Sequence, residues 1–285
     1  MGHKNGKPSR EILASTSAQI QPPNAAPILC FNKKIILSFL LGCTVYAAHA
    51  QEERTLVWAE EFDTPTLQAD VWNLESGDGC PTLCGWGNNE RQIYTATNHR
   101  IENGTLIIQA QKKGEQYTAT RINTKGKRAF QYGRIETRIK LPQGKGLWPA
   151  FWLLGENINT VGWPQCGEID VMEYVGKKPG EVFTSLHTQS SFGNTVNTKT
   201  ITCADIEDGF HTFAVDWSEE KITFYVDNTL EYTYQPPYRT KENWPFDQPF
   251  YLLINLAIGG NFGGPEVDDT IFPQAYVIDY IRVYQ

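Results

Sequence analysis

The chain has no apolar run long enough to cross a bilayer. The longest, Ile35 to Ala48, spans about 14 residues, against the roughly 20 that a membrane helix needs. It follows Lys33-Lys34 and ends in Ala48-His49-Ala50, so it reads as the core of an export signal with a small-residue cleavage site. This reading gives residues 1–50 to a signal peptide and leader and residues 51–285 to one domain, released to the periplasm or the medium. A lipoprotein signal presenting Cys43 for lipidation is the competing reading. Basic residues are also short: 25 Lys and Arg stand against 32 Asp and Glu, and residues 1–50 hold five of those bases and one of the acids. A surface of that sign repels phosphate backbones and excludes nucleic acid as a partner; it also disfavours sulfated polysaccharides relative to neutral ones. Cysteine is sparse. Only Cys80, Cys84, Cys166 and Cys203 follow residue 50, and the lack of a C-x-x-C pair speaks against zinc. Four exported cysteines allow three pairings; Cys80 with Cys84 and Cys166 with Cys203 is preferred, because it needs only one long loop closure. Beyond Thr55 there is no linker, no repeat, no long helical period and no separate carbohydrate-binding module. A single monomeric domain without helical architecture is expected.

What is present is aromatic and alternating. Eight Trp and thirteen Tyr imply a large aromatic core or a binding face made of flat rings. Residues 105–111, 134–140, 167–173, 211–217 and 221–227 alternate polar and apolar and read as strands, and residues 276–284 form the last. Gly, Pro and Asn clusters separate them. Many short strands without helices argue for an all-β sandwich or barrel. The informative strand is Gly167-Glu168-Ile169-Asp170-Val171-Met172-Glu173-Tyr174. Period-two alternation puts Glu168 and Asp170 on one face and Ile169 and Val171 on the other. Strict alternation would bury Glu173, so a β-bulge near Met172 is predicted, returning Glu173 to the acidic face. Three carboxylates so close cannot all ionise freely, and at least one is expected to hold its proton. One ionised and one protonated carboxyl is the division of labour that glycoside hydrolysis requires.

With its surroundings this strand resembles glycoside hydrolase family 16, in the laminarinase (endo-1,3-β-glucanase) branch. The E-x-D-x-x-E pattern Glu168, Asp170, Glu173 is accompanied by the tryptophan-rich stretch 146–154 and by segments 86–95, 163–167 and 255–261, and the likeness covers nearly all of residues 55–285. The resemblance implies a jelly-roll β-sandwich of two curved antiparallel sheets, concanavalin A-like, with a cleft across the concave one. It implies a retaining double displacement on a polysaccharide, with Glu168 as nucleophile, Glu173 as acid/base and Asp170 tuning both. Trp148, Trp152 and Trp163 are candidates to stack on sugar, while Trp58, Trp72 and Trp217 read as core. Asn88, His187 and Asn255 match cleft positions of the family. Arg134, Glu136 and Arg138 share one strand face, either solvent or cleft, and the family match favours the cleft. Ala257 stands where some mixed-linkage relatives carry Trp, which favours β-1,3-glucan. The resemblance also implies a structural calcium ion held by Glu61, the Gly104 carbonyl and Asp279, with no cofactor needed for catalysis. The rivals are a same-fold hydrolase of agar-type galactan or mixed-linkage glucan, a transglycosylase, and a non-catalytic glucan-binding module.

Overall fold

The computed structural model describes residues 54–285; the leader and its cleavage site lie outside the described residues. In chain order the strands are β1 (Leu56–Glu60), β2 (Asn73–Glu75), β3 (Gln92–Tyr94), β4 (His99–Glu102), β5 (Thr105–Lys113), β6 (Gln116–Ala119), β7 (Arg121–Asn123), β8 (Ala129–Phe130) and β9 (Gly133–Lys140). Then come β10 (Leu147–Gly155), β11 (Glu168–Tyr174), β12 (Glu181–His187), β13 (Thr198–Thr202), β14 (His211–Trp217), β15 (Ile222–Val226), β16 (Thr229–Tyr234), β17 (Phe250–Ile258) and β18 (Gln274–Tyr284). The two α-helices among the described residues, Ile158–Val161 and Gly260–Gly263, are single turns. No helix there is long and apolar enough to cross a membrane.

Two sheets form a jelly-roll sandwich. One runs β16-β15-β14-β9-β18-β5-β6-β3, with β1 on β18 and β4 on β5. The other runs β13-β12-β11-β10-β17-β7-β2, with β8 on β17. All pairings are antiparallel except β3 with β6. Alternation explains which face each strand buries. In β9 Ile135, Thr137 and Ile139 are buried while Arg134, Glu136 and Arg138 point outward. In the central strand β17 every residue is buried, because both faces are covered. Phe250, Leu252, Ile254, Leu256 and Ile258 enter the inter-sheet core. Tyr251 and Leu253 face the other way, into a small cluster with Leu154 and Cys166 on the cleft side. Apolar burial on this scale, at about 25 cal/mol per Å², is what offsets the entropy of ordering the chain. Trp72 and Trp217 are core residues, and Trp58 packs against that core partly buried.

The sandwich corrects one expectation. Cys80 and Cys84 form a disulfide, but Cys166 and Cys203 do not. Cys166 sits in the cleft-side cluster and Cys203 in the inter-sheet core, so the second sheet lies between them. Low contour cost favoured the pairing; the face each thiol occupies forbids it. The Cys203 thiol donates to Asp205 Oδ1 at 3.0 Å.

Candidate active site

The bulge forms where the acidic pattern demands it. Against β12 the register jumps from Asp170↔Ser185 to Glu173↔Phe183, and against β10 from Asp170↔Trp152 to Met172↔Phe151. Three residues therefore advance the chain by two, and both Val171 and Met172 turn into the core. Glu173 is returned to the face of Glu168 and Asp170.

Each terminal carboxylate receives an indole N–H. Trp163 Nε1 donates to Glu168 Oε2 at 2.8 Å, and Trp148 Nε1 donates to Glu173 Oε1 at 3.0 Å. Asp170 is the most enclosed of the three, 3% exposed, and its Oδ2 is the oxygen that faces His187. His187, beside Glu168 in the β11–β12 register, brings Nε2 to 3.1 Å from that oxygen and 3.8 Å from Glu168 Oε1. The Gly193 backbone nitrogen lies 3.1 Å from His187 Nδ1, so Nε2 is the ring nitrogen that faces the acids.

All three carboxyls are pushed above their ordinary values. For Glu173 and Asp170 burial is the main cause, followed for each by a neighbouring carboxylate: Asp170 for Glu173, Glu168 for Asp170. Glu168 is raised by burial too, but His187 and the Trp163 N–H work against the rise. Burial opposes charge on His187; the surrounding Asp170, Glu168 and Glu173 outweigh it and push the ring up to about 10. The result is an asymmetric pair, with positive charge close to Glu168 and a proton favoured on Glu173.

The other tryptophan of β10 extends the face sideways. Trp152 Nε1 donates to Asn255 Oδ1 at 2.7 Å, and Asn255 Nδ2 donates to Tyr94 Oη at 3.2 Å. Asn88 is 3.5 Å from Glu90 Oε1, and its carbonyl accepts the Asn261 N–H at 2.7 Å. Gly260, at φ 81°, lies between them: a Cβ there would meet the Asn88 carbonyl at 2.9 Å and the Trp148 ring at 3.4 Å. Only glycine lets that loop close on the cleft wall.

The comparisons agree with this geometry. The model of glycosyl hydrolases family 16 matches residues 87–282. The chain belongs to glycoside hydrolase family 16. A β-glucanase of Rhodothermus marinus is 38% identical over 272 residues, covering 88% of this chain and 93% of that protein. The crystal structure of a laminarinase from Flavobacterium sp. UMI-01 superposes with a TM-score of 0.80 at 64% identity, covering 81% of this chain and all of that one. The laminarinase catalytic domain of Thermotoga maritima gives 0.76 at 39% identity, over 82% of this chain and 99% of that one. As a family 16 enzyme the chain is a glycoside hydrolase.

Within this family 16 site the sequence reading missed several residues. Arg121 on β7, 8% exposed, lies over the rings of Trp86 at 4.7 Å and Trp152 at 5.0 Å and pairs with Glu75 on β2. Glu90 is buried and its carboxyl raised, chiefly by that burial; it accepts from Gln92 at 2.6 Å and Tyr94 at 3.0 Å. Phe192 stands edge-on to Trp163, with centroids 5.4 Å apart. Trp86, Glu90 and Tyr94 lie in segment 86–95, which carries part of the family resemblance and in which Asn88 is the expected cleft residue.

One expectation is corrected. Arg134, Glu136 and Arg138 are not brought to the cleft. They lie on β9 of the opposite sheet, facing away from it, where Arg134 pairs with Glu136 and Asp216, and Tyr280 donates to Glu136. Glu61, Gly104 and Asp279 do gather at one end of that sheet, since Glu60 registers with Ile281 and Leu106 with Ile278. Yet Arg282 takes both Glu61 oxygens, at 2.7 and 2.9 Å, and Arg138 pairs with Asp279 at 2.5 Å. Calcium needs six to eight oxygen ligands. With its two carboxylates already neutralised by guanidinium groups, this set as placed does not fit the ion.

Proposed function

We propose that the protein is an endo-acting, retaining β-1,3-glucanase that cuts laminarin-like glucan within the chain. The observation that carries it is the bulged strand β11, which puts Glu168, Asp170 and Glu173 on one cleft face with unequal surroundings. The laminarinase likeness at 64% identity supports the substrate class. The complete acid set speaks against a glucan-recognition module.

In this reading Glu168, ionised beside His187, attacks the anomeric carbon. Glu173 gives its proton to the glycosidic oxygen as that bond breaks, and a glycosyl-Glu168 ester forms. Glu173, now a carboxylate, takes a proton from water; the water attacks the anomeric carbon, the bond from that carbon to Glu168 breaks, and Glu168 leaves as carboxylate. Trp148, Trp152 and Trp163 offer ring faces to the sugar's C–H faces, while Asn88, Asn255 and Arg121 face its hydroxyl rim. We read residues 1–50 as an export leader, which the N-terminal sequence of protein recovered from the medium would test.

The substrate is tested by incubating laminarin, mixed-linkage β-glucan and agarose with the protein and with Glu168→Gln. Short oligosaccharides from laminarin, at least about a thousandfold slower in the variant, are expected. Activity on agarose alone would overturn the substrate and leave the mechanism standing.

A further inference from the structure

The cleft wall beside β7 is built on a turn that the chain does not adopt freely. Gly85, Trp86 and Gly87 stand consecutively in the left-handed region, at φ 60°, 53° and 76°. Glycine enters that region at little cost, but a residue with a Cβ rarely does, because the Cβ crowds the following carbonyl. Something must hold Trp86 there. Its ring supplies part of the hold: the indole N–H donates to the Gly77 carbonyl at 3.3 Å, and the ring packs on Tyr94 with centroids 5.2 Å apart. The rest comes from upstream. The Leu83 N–H donates to the Gly79 carbonyl at 2.7 Å and the Gly85 N–H to the Asp78 carbonyl at 2.8 Å. The Cys80–Cys84 disulfide lies within this turn and ends directly before Gly85.

This cross-link is no staple between sheets. Its cysteines are four residues apart in the one connection from β2 to β3, so it removes little entropy from the unfolded chain. Its effect is local, and what is local to it is the cleft. The Arg121 guanidinium lies over the Trp86 ring at 4.7 Å and over Trp152 at 5.0 Å. Two residues on, the Asn88 carbonyl accepts the Asn261 N–H beside Gly260 and Trp148. The turn therefore borders the cleft from Trp152 to Trp148.

We propose that the Cys80–Cys84 disulfide is a positioning element for glycan binding: it locks the left-handed turn that holds Trp86 against Arg121, and so sets affinity for the polysaccharide without touching the reacting atoms. The effect on glucan rests on the glucanase reading; the locking of Trp86 does not. Both cysteines are exposed, so a small dithiol reaches the bond. Dithiothreitol delivers two electrons and two protons, closes to its own cyclic disulfide and leaves Cys80 and Cys84 as thiols.

The test is a double-mutant cycle on the full chain, crossing Trp86→Ala with the paired change Cys80→Ser and Cys84→Ser. Each arm alone should raise KM for laminarin about tenfold and leave kcat within about threefold, the size of one lost aromatic contact. Combined, they should do no more than Trp86→Ala alone, because the cross-link then has no ring to position. An unchanged KM in the cysteine variant, or losses that multiply, overturns the proposal. If the cysteine variant fails to fold, reduction of the folded parent gives the same answer. The near-UV circular dichroism of Trp86, taken as the parent spectrum minus that of Trp86→Phe under the same conditions, reads the turn without substrate. It should collapse in dithiothreitol; a band that survives reduction overturns the locking whether or not laminarin is cut. Laminarin hydrolysis by the oxidised parent reads the glucanase assignment separately.

Discussion

The two indole N–H groups act on different limbs of the pH profile. A hydrogen bond donated to a carboxylate favours its charged form, so each tryptophan holds its glutamate lower than burial alone would. Trp148→Phe removes the donor to Glu173, whose proton then persists to higher pH. Since the general acid must be protonated, the basic limb of kcat/KM moves up. Trp163→Phe removes the donor to Glu168, which must be ionised to attack, so the acid limb moves up instead. Each loses roughly 10- to 100-fold at the optimum, as one charge-assisted hydrogen bond of about 1.5–3 kcal/mol disappears. Profiles of kcat/KM against pH for both variants check this; a limb that shifts in the other member of the pair refutes the assignment. These side chains were legible because they flank the acidic strand in sequence. Arg121 was not. It sits in a buried three-residue strand; the sheet order β10-β17-β7 brings Trp152 to it, and Trp86 comes from the Cys84–Gly87 turn outside that order.

A strand has only two faces, and β11 uses a bulge to place three acids on one of them. Deleting Met172 shortens the spacing from Glu168 to Glu173 to four, so strict alternation alone keeps Glu173 on the acidic face without a bulge. Hydrolysis per folded molecule should therefore stay within about tenfold of the parent, while Tm drops because a buried side chain is lost. Met172→Ala keeps the residue count and therefore the bulge. It leaves a cavity worth about 2–5 kcal/mol, yet the folded fraction should hydrolyse glucan at near the parent rate. Thermal melts with activity per folded molecule check both, and a thousandfold loss in the deletion alone would show that the bulge itself, and not merely the shared face, positions Glu173. The bulge was readable because the spacing from Glu168 to Glu173 is odd. The face of β9 was not readable in the same way: Arg134, Glu136 and Arg138 alternate cleanly, but alternation says that a face is polar without saying which sheet carries it. The strand order decides that, and β9 lies between β14 and β18, in the sheet opposite the cleft.

At the scale of the whole molecule the site is a source of instability. Glu168, Asp170 and Glu173 all bind protons more tightly in the folded chain than in the unfolded one. For such groups the folded state holds more protons between the unfolded and the raised folded values, so stability falls as pH climbs through that window. For Glu173 the window opens at the ordinary value of 4.5 and extends upward to its raised folded value. The His211–Asp227 pair behaves differently. Asp227 chiefly, against the pull of burial, raises His211, whose contribution is present at low pH and lost as pH rises through its folded value. Both terms therefore weaken the fold toward alkaline pH. Replacing Glu173 by Gln removes one buried ionisation without changing the side chain's shape. The variant should be inactive as a general acid and more stable than the parent at pH 8, by about 3 °C in Tm, with the gain vanishing near pH 4. Melting curves of parent and variant across that range check it. A variant less stable at every pH would mean that the cleft is wet enough to solvate Glu173, and the proton assigned to the acid would then have no structural cause.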